Sequence, residues 1–167
     1  FIHGTGAHKK WWYPIAPQFI NYSNVIAIDL PGMGDSGFRQ KYSIKDFGQC
    51  VISIIEKEQS NLDIDNIFIV GHSLGGQVAG YVASEEKELV SNLIMIDTFI
   101  RPPDWDPSQN EGGPLRMIKY YSDKTTILKR FRLLPQQECE NEWFVRYIAE
   151  HSVRSEERRV GKECRSR

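Results

Sequence analysis

The sequence predicts an α/β fold built on a mostly parallel sheet with helices on both faces. Three apolar runs carry that expectation: Val25-Ile26-Ala27-Ile28, Ile67-Phe68-Ile69-Val70 and Leu93-Ile94-Met95-Ile96. Each is apolar throughout rather than alternating, the pattern of a strand covered on both faces. Helical segments separate the last two from what precedes them, and strands alternating with helices indicate parallel pairing. The 167 residues suit one domain of this kind. A formal net charge of −1 advertises neither nucleic acid nor an anionic membrane as a partner. No apolar run is long enough to cross a bilayer.

The elements follow in order. Phe1-Ile2 reads as a strand stub running into the turn His3-Gly4-Thr5-Gly6-Ala7, and the chain opens inside that strand rather than on Met. Trp11 to Phe19 predicts a short helix interrupted by Pro14 and Pro17. The Val25–Ile28 strand ends at Asp29 and a glycine-rich loop through Gly37. Ile44, Phe47, Val51, Ile54 and Ile55 recur at helical spacing, with Ser43 and Asp46 as a helix start. A helix from the Ser73 region to about Glu88 leads to the last strand, which ends at Asp97. After Pro102-Pro103 the character changes. Asp104 to Pro114 is polar and loop-like, and amphipathic helices follow. Ile127, Leu128, Phe131 and Leu134 share one face, and Trp143, Phe144, Tyr147 and Ile148 share another.

Gly71-His72-Ser73-Leu74-Gly75 is a Gly-x-Ser-x-Gly set between a buried strand and a helix. So tight a strand-to-helix turn requires small residues two before and two after the serine, which Gly71 and Gly75 supply. It lifts the Ser73 hydroxyl above the sheet's carboxyl edge, beside helix N–H groups free to stabilise negative charge. The bland alternative is a glycine-flanked helix cap. Gly32-Met33-Gly34-Asp35-Ser36-Gly37 matches a dinucleotide-binding Gly-x-Gly-x-x-Gly, but the next helix begins only near Ser43. A phosphate-binding turn would open directly into its helix, so nucleotide binding is disfavoured.

The His3-Gly4-Thr5-Gly6 loop, the Asp29-Leu30-Pro31-Gly32-Met33-Gly34-Asp35-Ser36 turn and the Ser73 turn come in an order that resembles the α/β-hydrolase superfamily. The resemblance covers Phe1 to about Pro103. It implies a truncated α/β-hydrolase fold, since the family's sheet has eight strands and this chain offers four at most. It also implies that Ser73 is a nucleophile and that the N–H groups of Thr5 and Leu74 form the oxyanion hole. Relatives with an aspartate nucleophile, dehalogenases and epoxide hydrolases, are disfavoured by the serine at 73. A serine alkoxide needs a histidine base and a carboxylate to orient it. In the family these follow the nucleophile, the histidine near the C-terminus. Only His151 lies downstream of Ser73, on an apolar-faced helix where a structural role is expected. His72 is expected to point elsewhere on the turn, His3 to brace its loop, and both His3 and His8 precede the nucleophile. Asp97 is a candidate acid, the alternative being an acid one strand later.

The expected organisation is a partial hydrolase core over residues 1–103, a helical cap segment over 104–153 and a non-native tail over 154–167. That tail, Arg-Ser-Glu-Glu onward, resembles an in-frame translation of a sequencing adapter, the alternative being a basic solvated tail. Cys50, Cys139 and Cys164 show neither a metal pair nor a disulfide framework, and Cys50 is expected in the core. Asn21-Tyr22-Ser23 fits a glycosylation sequon of the kind that recurs by chance. The reading is therefore an esterase-like serine hydrolase acting on a small, partly apolar ester or related acyl or carbon–carbon bond. It expects no cofactor, no metal and a cytoplasmic location, with the present fragment inactive for want of its histidine. The alternative is a non-catalytic relative that binds a small ligand.

Overall fold

A computed structural model of the chain describes residues 1–62, 64, 66–100, 123–132 and 138–153. These form two compact units, within Phe1–Phe99 and within Ile100–Val153. The expected polar segment 104–114, Leu134 and the tail 154–167 lie outside the described residues.

In the first unit, strand β1 (Phe68–His72) pairs in parallel with β2 (Asn92–Ile96), His72 opposite Ile96. Single parallel bridges extend this pair: Ile2 bridges Gly71 on one side and Ile28 on the other. The expected Val25–Ile28 strand thus reduces to one bridge. Ile28 is the residue of that run that bridges, to Ile2. The expected Trp11–Phe19 helix is instead two short 3-10 turns, Lys9–Trp11 and Ala16–Gln18, with Pro17 inside the second. The two prolines in this stretch have no N–H to continue an α-helix.

Helix α1 (Ile44–Asn61) starts where the sequence placed it. The Asp46 N–H donates to Ser43 Oγ at 3.1 Å, and that hydroxyl donates to Asp46 Oδ2 at 2.6 Å, a reciprocal cap. Helix α2 (Leu74–Glu85) leaves β1 directly. It stops three residues short of the expected Glu88, where the Glu86 N–H closes on the Val82 carbonyl. Gly48 of α1 faces Tyr81 of α2 so closely that any side chain at 48 would strike the ring.

One core unites these elements: Ile2, Leu30, Phe47, Val51, Ile52, Ile69, Val78, Ala79 and Val82. Burial follows the strand alternation. Ile69 and Gly71 are buried, whereas Phe68, on the opposite face of β1, is 60% exposed. The expectation that β2 is buried on both faces fails, since Leu93, Ile94 and Ile96 are all exposed. Among the described residues β2 is paired on one side only. An apolar run records what a strand can be covered by, not what is present to cover it. Cys50, expected in the core, is half-buried and accepts a 3.0 Å hydrogen bond from the Arg39 guanidinium.

The second unit holds α3 (Lys124–Arg130) and α4 (Glu142–Ser152). Asp123 caps α3 by accepting from the Thr126 N–H at 2.8 Å. Ile148 and Ala149 are buried, while Trp143 of the same expected apolar face is exposed. A groove between the helices is lined by Leu128, Phe131, Val145 and Ala149. No helix among the described residues is long and apolar enough to cross a membrane.

Ile69 is 4% exposed and central to the core. Ile69→Ala should therefore lower unfolding stability by about 2–5 kcal/mol, read as a drop in urea midpoint at constant slope.

Candidate active site

Ser73 joins the end of β1 to the start of α2. Its backbone sits at φ 52°, ψ −116°, a region that residues other than glycine rarely occupy. Four hydrogen bonds hold it there. The Ser73 N–H donates to the Ile96 carbonyl at 2.9 Å, which ties the turn to β2. The Ser73 carbonyl accepts from the N–H groups of Gly76 and Gln77 at 3.0 and 3.2 Å and from the Thr98 hydroxyl at 3.4 Å. Just beyond, the Gln77 side chain donates to the Phe99 carbonyl at 3.0 Å. Ser73 occupies the N-cap position, yet its hydroxyl makes no capping bond. A serine serving as an ordinary cap takes extended backbone angles and accepts a first-turn N–H.

The elbow glycines are required by close approach. A side-chain carbon at Gly71 would strike the Gly75 carbonyl, and one at Gly75 would strike the carbonyls of Ile2 and His3. The second contact also brings the His3–Gly6 loop against the turn, so that Gly4 abuts Ser73. A carbon added at Gly4 would lie 3.2 Å from Ser73 Cβ. Thr5 follows in an exposed turn. Leu74 is the first residue of α2, so its N–H has no carbonyl within the helix to bond. The structure therefore brings Ser73, Leu74, Gly71, Gly75 and the Gly4–Thr5 loop together.

The remaining predicted residues are placed as follows. Asp97 follows β2 with its own positive φ of 46° and a 91% exposed side chain. It faces His72, Nε2 to Oδ2 at 3.9 Å. His151 lies in the second unit, its Nδ1 2.8 Å from the Tyr147 carbonyl and its ring 4.2 Å from that of Tyr147. His8 is buried, edge-on to Trp11. No group of three or more metal-ligating side chains occurs among the described residues.

His3 is buried and bonded at both nitrogens. The Leu30 N–H donates to Nε2 at 3.1 Å, so Nε2 is the unprotonated nitrogen and Nδ1 donates to the Gly4 carbonyl at 2.8 Å. That network makes the ring neutral, and its 4.0 Å approach to Asp29 is not an ion pair. Burial pushes His3 below the ordinary imidazole value, against the opposing pull of the Gly4 hydrogen bond and the Asp29 charge.

Asp29, a strand end and the first residue of the Asp29–Ser36 turn, joins two loops. Its carboxylate, 4% exposed, accepts the Lys9 N–H at 2.7 Å and the Asp35 N–H at 2.8 Å and pairs with the Lys9 ammonium at 3.1 Å. The Ser36 hydroxyl donates to its carbonyl at 2.6 Å. Burial alone would raise the carboxyl. The two N–H bonds and Lys9 outweigh it and hold the group below its ordinary value. An aspartate before a Gly/Pro turn was the signal available.

Comparison with known proteins identifies the family. The model of the family described as having the alpha/beta hydrolase fold matches residues 1–133. The pimeloyl-[acyl-carrier protein] methyl ester esterase of Pseudoalteromonas atlantica is 32% identical over 129 residues, 72% of this chain and 47% of that protein. A soluble epoxide hydrolase of Corynebacterium sp. is 32% identical over 101 residues, 58% of this chain and 32% of that protein. Among solved structures, the thioesterase domain from the curacin biosynthetic pathway superimposes with a TM-score of 0.68 at 23% identity, covering 90% of this chain and 56% of that one. The chain belongs to the α/β-hydrolase family. It spans less than half the length of these curated relatives.

The neutral state of His3 gives a pH dependence of known sign. Its folded value lies below the ordinary 6.5, so the unfolded chain binds more protons once pH falls below that value. Stability from this site is complete above pH 6.5 and declines as pH drops below it. Urea midpoints should fall between about pH 7 and pH 5 in the wild type, and the decline should be shallower in His3→Gln.

Proposed function

We propose that this chain carries the nucleophilic half of a serine hydrolase that cleaves a small, partly apolar ester or a related acyl or carbon–carbon bond. One observation carries the reading: Ser73 is held in a strained backbone conformation while its hydroxyl does no capping. Strain of this kind costs on the order of 1–3 kcal/mol and persists where the surroundings impose it, commonly at functional sites. A mere helix cap would need no such geometry. The esterase relative, similar over 72% of the chain, supports the same chemistry.

In this mechanism Ser73 Oγ attacks the carbonyl carbon and its proton passes to a histidine base. The N–H groups of Thr5 and Leu74 hold the oxyanion, the second aided by the positive end of α2. Collapse expels the leaving group, which takes the proton from the histidine. Water then hydrolyses the acyl-enzyme by the same route, with no cofactor or metal. By the resemblance to the family, the base is a histidine later in the protein than Ser73, and His151 is read as structural, with its Nδ1 bonded to the Tyr147 carbonyl. The acid is either Asp97 or a carboxylate one strand later. Helices α3 and α4 are read as part of a cap segment over residues 104–153.

In the intact protein that carries this sequence, hydrolysis of a short-chain aryl ester should fall on the order of 10⁶-fold in kcat on Ser73→Ala. A Ser73→Ala protein that retains wild-type turnover would remove Ser73 from the mechanism.

A further inference from the structure

We propose that His72 and Asp97 form a positioning pair that sets the height of the Gly4–Thr5 loop, and with it the Thr5 N–H that holds the oxyanion. The inference deepens the Ser73 reading and rests on it. Sequence reasoning sent the His72 side chain away from the chemistry. In the structure its ring lies against Gly4. A carbon added at Gly4 would lie 2.8 Å from His72 Nδ1 and 3.3 Å from its Cε1, so the ring is in contact with the Gly4 backbone. On its other side, Nε2 faces Asp97 Oδ2 at 3.9 Å. One imidazole therefore bridges the loop before Thr5 and the end of β2.

The arrangement follows from register. His72 stands opposite Ile96, whose carbonyl holds the Ser73 N–H, and Asp97 is the next residue. The bond that fixes the nucleophile's turn thus also sets Asp97 beside His72. Ser73 and Asp97 are the two non-glycine residues at positive φ among those described, and each directly follows one of two adjacent strands. An exposed pair such as His72 and Asp97 adds little to stability. The strain at Asp97 is not accounted for by ion pairing alone, and a strained residue beside a site points to a functional constraint. In this arrangement Asp97 orients His72 and the triad acid lies further along the chain.

Neither residue touches the reacting atoms, so the expected signature is a change in kcat with KM held. In the intact protein, His72→Ala should lower kcat for a short-chain aryl ester, and the rate of fluorophosphonate labelling, by about tenfold, with KM changed less than about twofold. His72→Gln, which keeps bulk and a polar end against Gly4, should recover most of that loss. Asp97→Asn, at a site exposed enough to leave folding intact, should cost less than about tenfold. A loss near 10⁴-fold in Asp97→Asn would make Asp97 the triad acid and overturn the pair. Folded His72→Ala with wild-type kcat and labelling would also overturn it. Wild-type protein that takes no label at Ser73 overturns the Ser73 reading and the pair together, whereas labelled wild type with unaffected variants overturns the pair alone.

Discussion

The turn at Ser73 is the constraint on which the rest of the first unit depends. A backbone at φ 52° is unfavourable for serine, and it is held by bonds on both sides: the Ile96 carbonyl against its N–H, and Gly76, Gln77 and Thr98 against its carbonyl. Those bonds form only if β1 and β2 pair in their observed register and α2 departs at once from the strand. That departure in turn forces backbone against backbone, at Gly71 with Gly75 and at Gly75 with Ile2 and His3. The last contact seats the stub at Ile2 beside β1 and delivers the His3–Gly6 loop to the serine. Sheet order, helix packing and loop position are therefore consequences of one tight corner.

A second organiser acts through charge. A carboxylate as buried as Asp29 is costly unless it is bonded and paired. Here two N–H groups and an ammonium surround it: the N–H and ammonium of Lys9, after the His3 loop, and the N–H of Asp35, in the turn after Leu30. The neutral His3 ring, bonded to Leu30 and Gly4, ties the same two loops from below. Two short connections that would otherwise be mobile are thereby fixed to each other, and Gly4 and Thr5 lie on one of them.

Local chemistry was the legible part of the sequence. The Ser43 cap, the α1 stripe and the Gly-x-Ser-x-Gly turn each depend on residues within a few positions of one another, and each is where the sequence put it. Burial was less legible because it depends on partners distant in the chain. Leu93, Ile94 and Ile96 have the character of a covered strand but are exposed among the described residues. Val25–Ile28 has strand character but makes a single bridge, at Ile28, and Cys50 sits on α1 where the Arg39 guanidinium reaches it. The contacts of His72 escaped for a related reason. Its neighbours, Gly4 and Asp97, are 68 residues before it and 25 after it, and only the strand register brings them together. Alternation along a strand says which face a side chain takes, not what waits there.

The central claim is that the strained serine is a nucleophile. Its most direct test is to treat the intact wild-type protein with a fluorophosphonate and map the modified residue by peptide mass spectrometry. A single phosphonylated site is expected within the segment Gly71–Gly76, on Ser73. A protein with turnover that carries no adduct on Ser73, or carries it on another residue, would contradict the account.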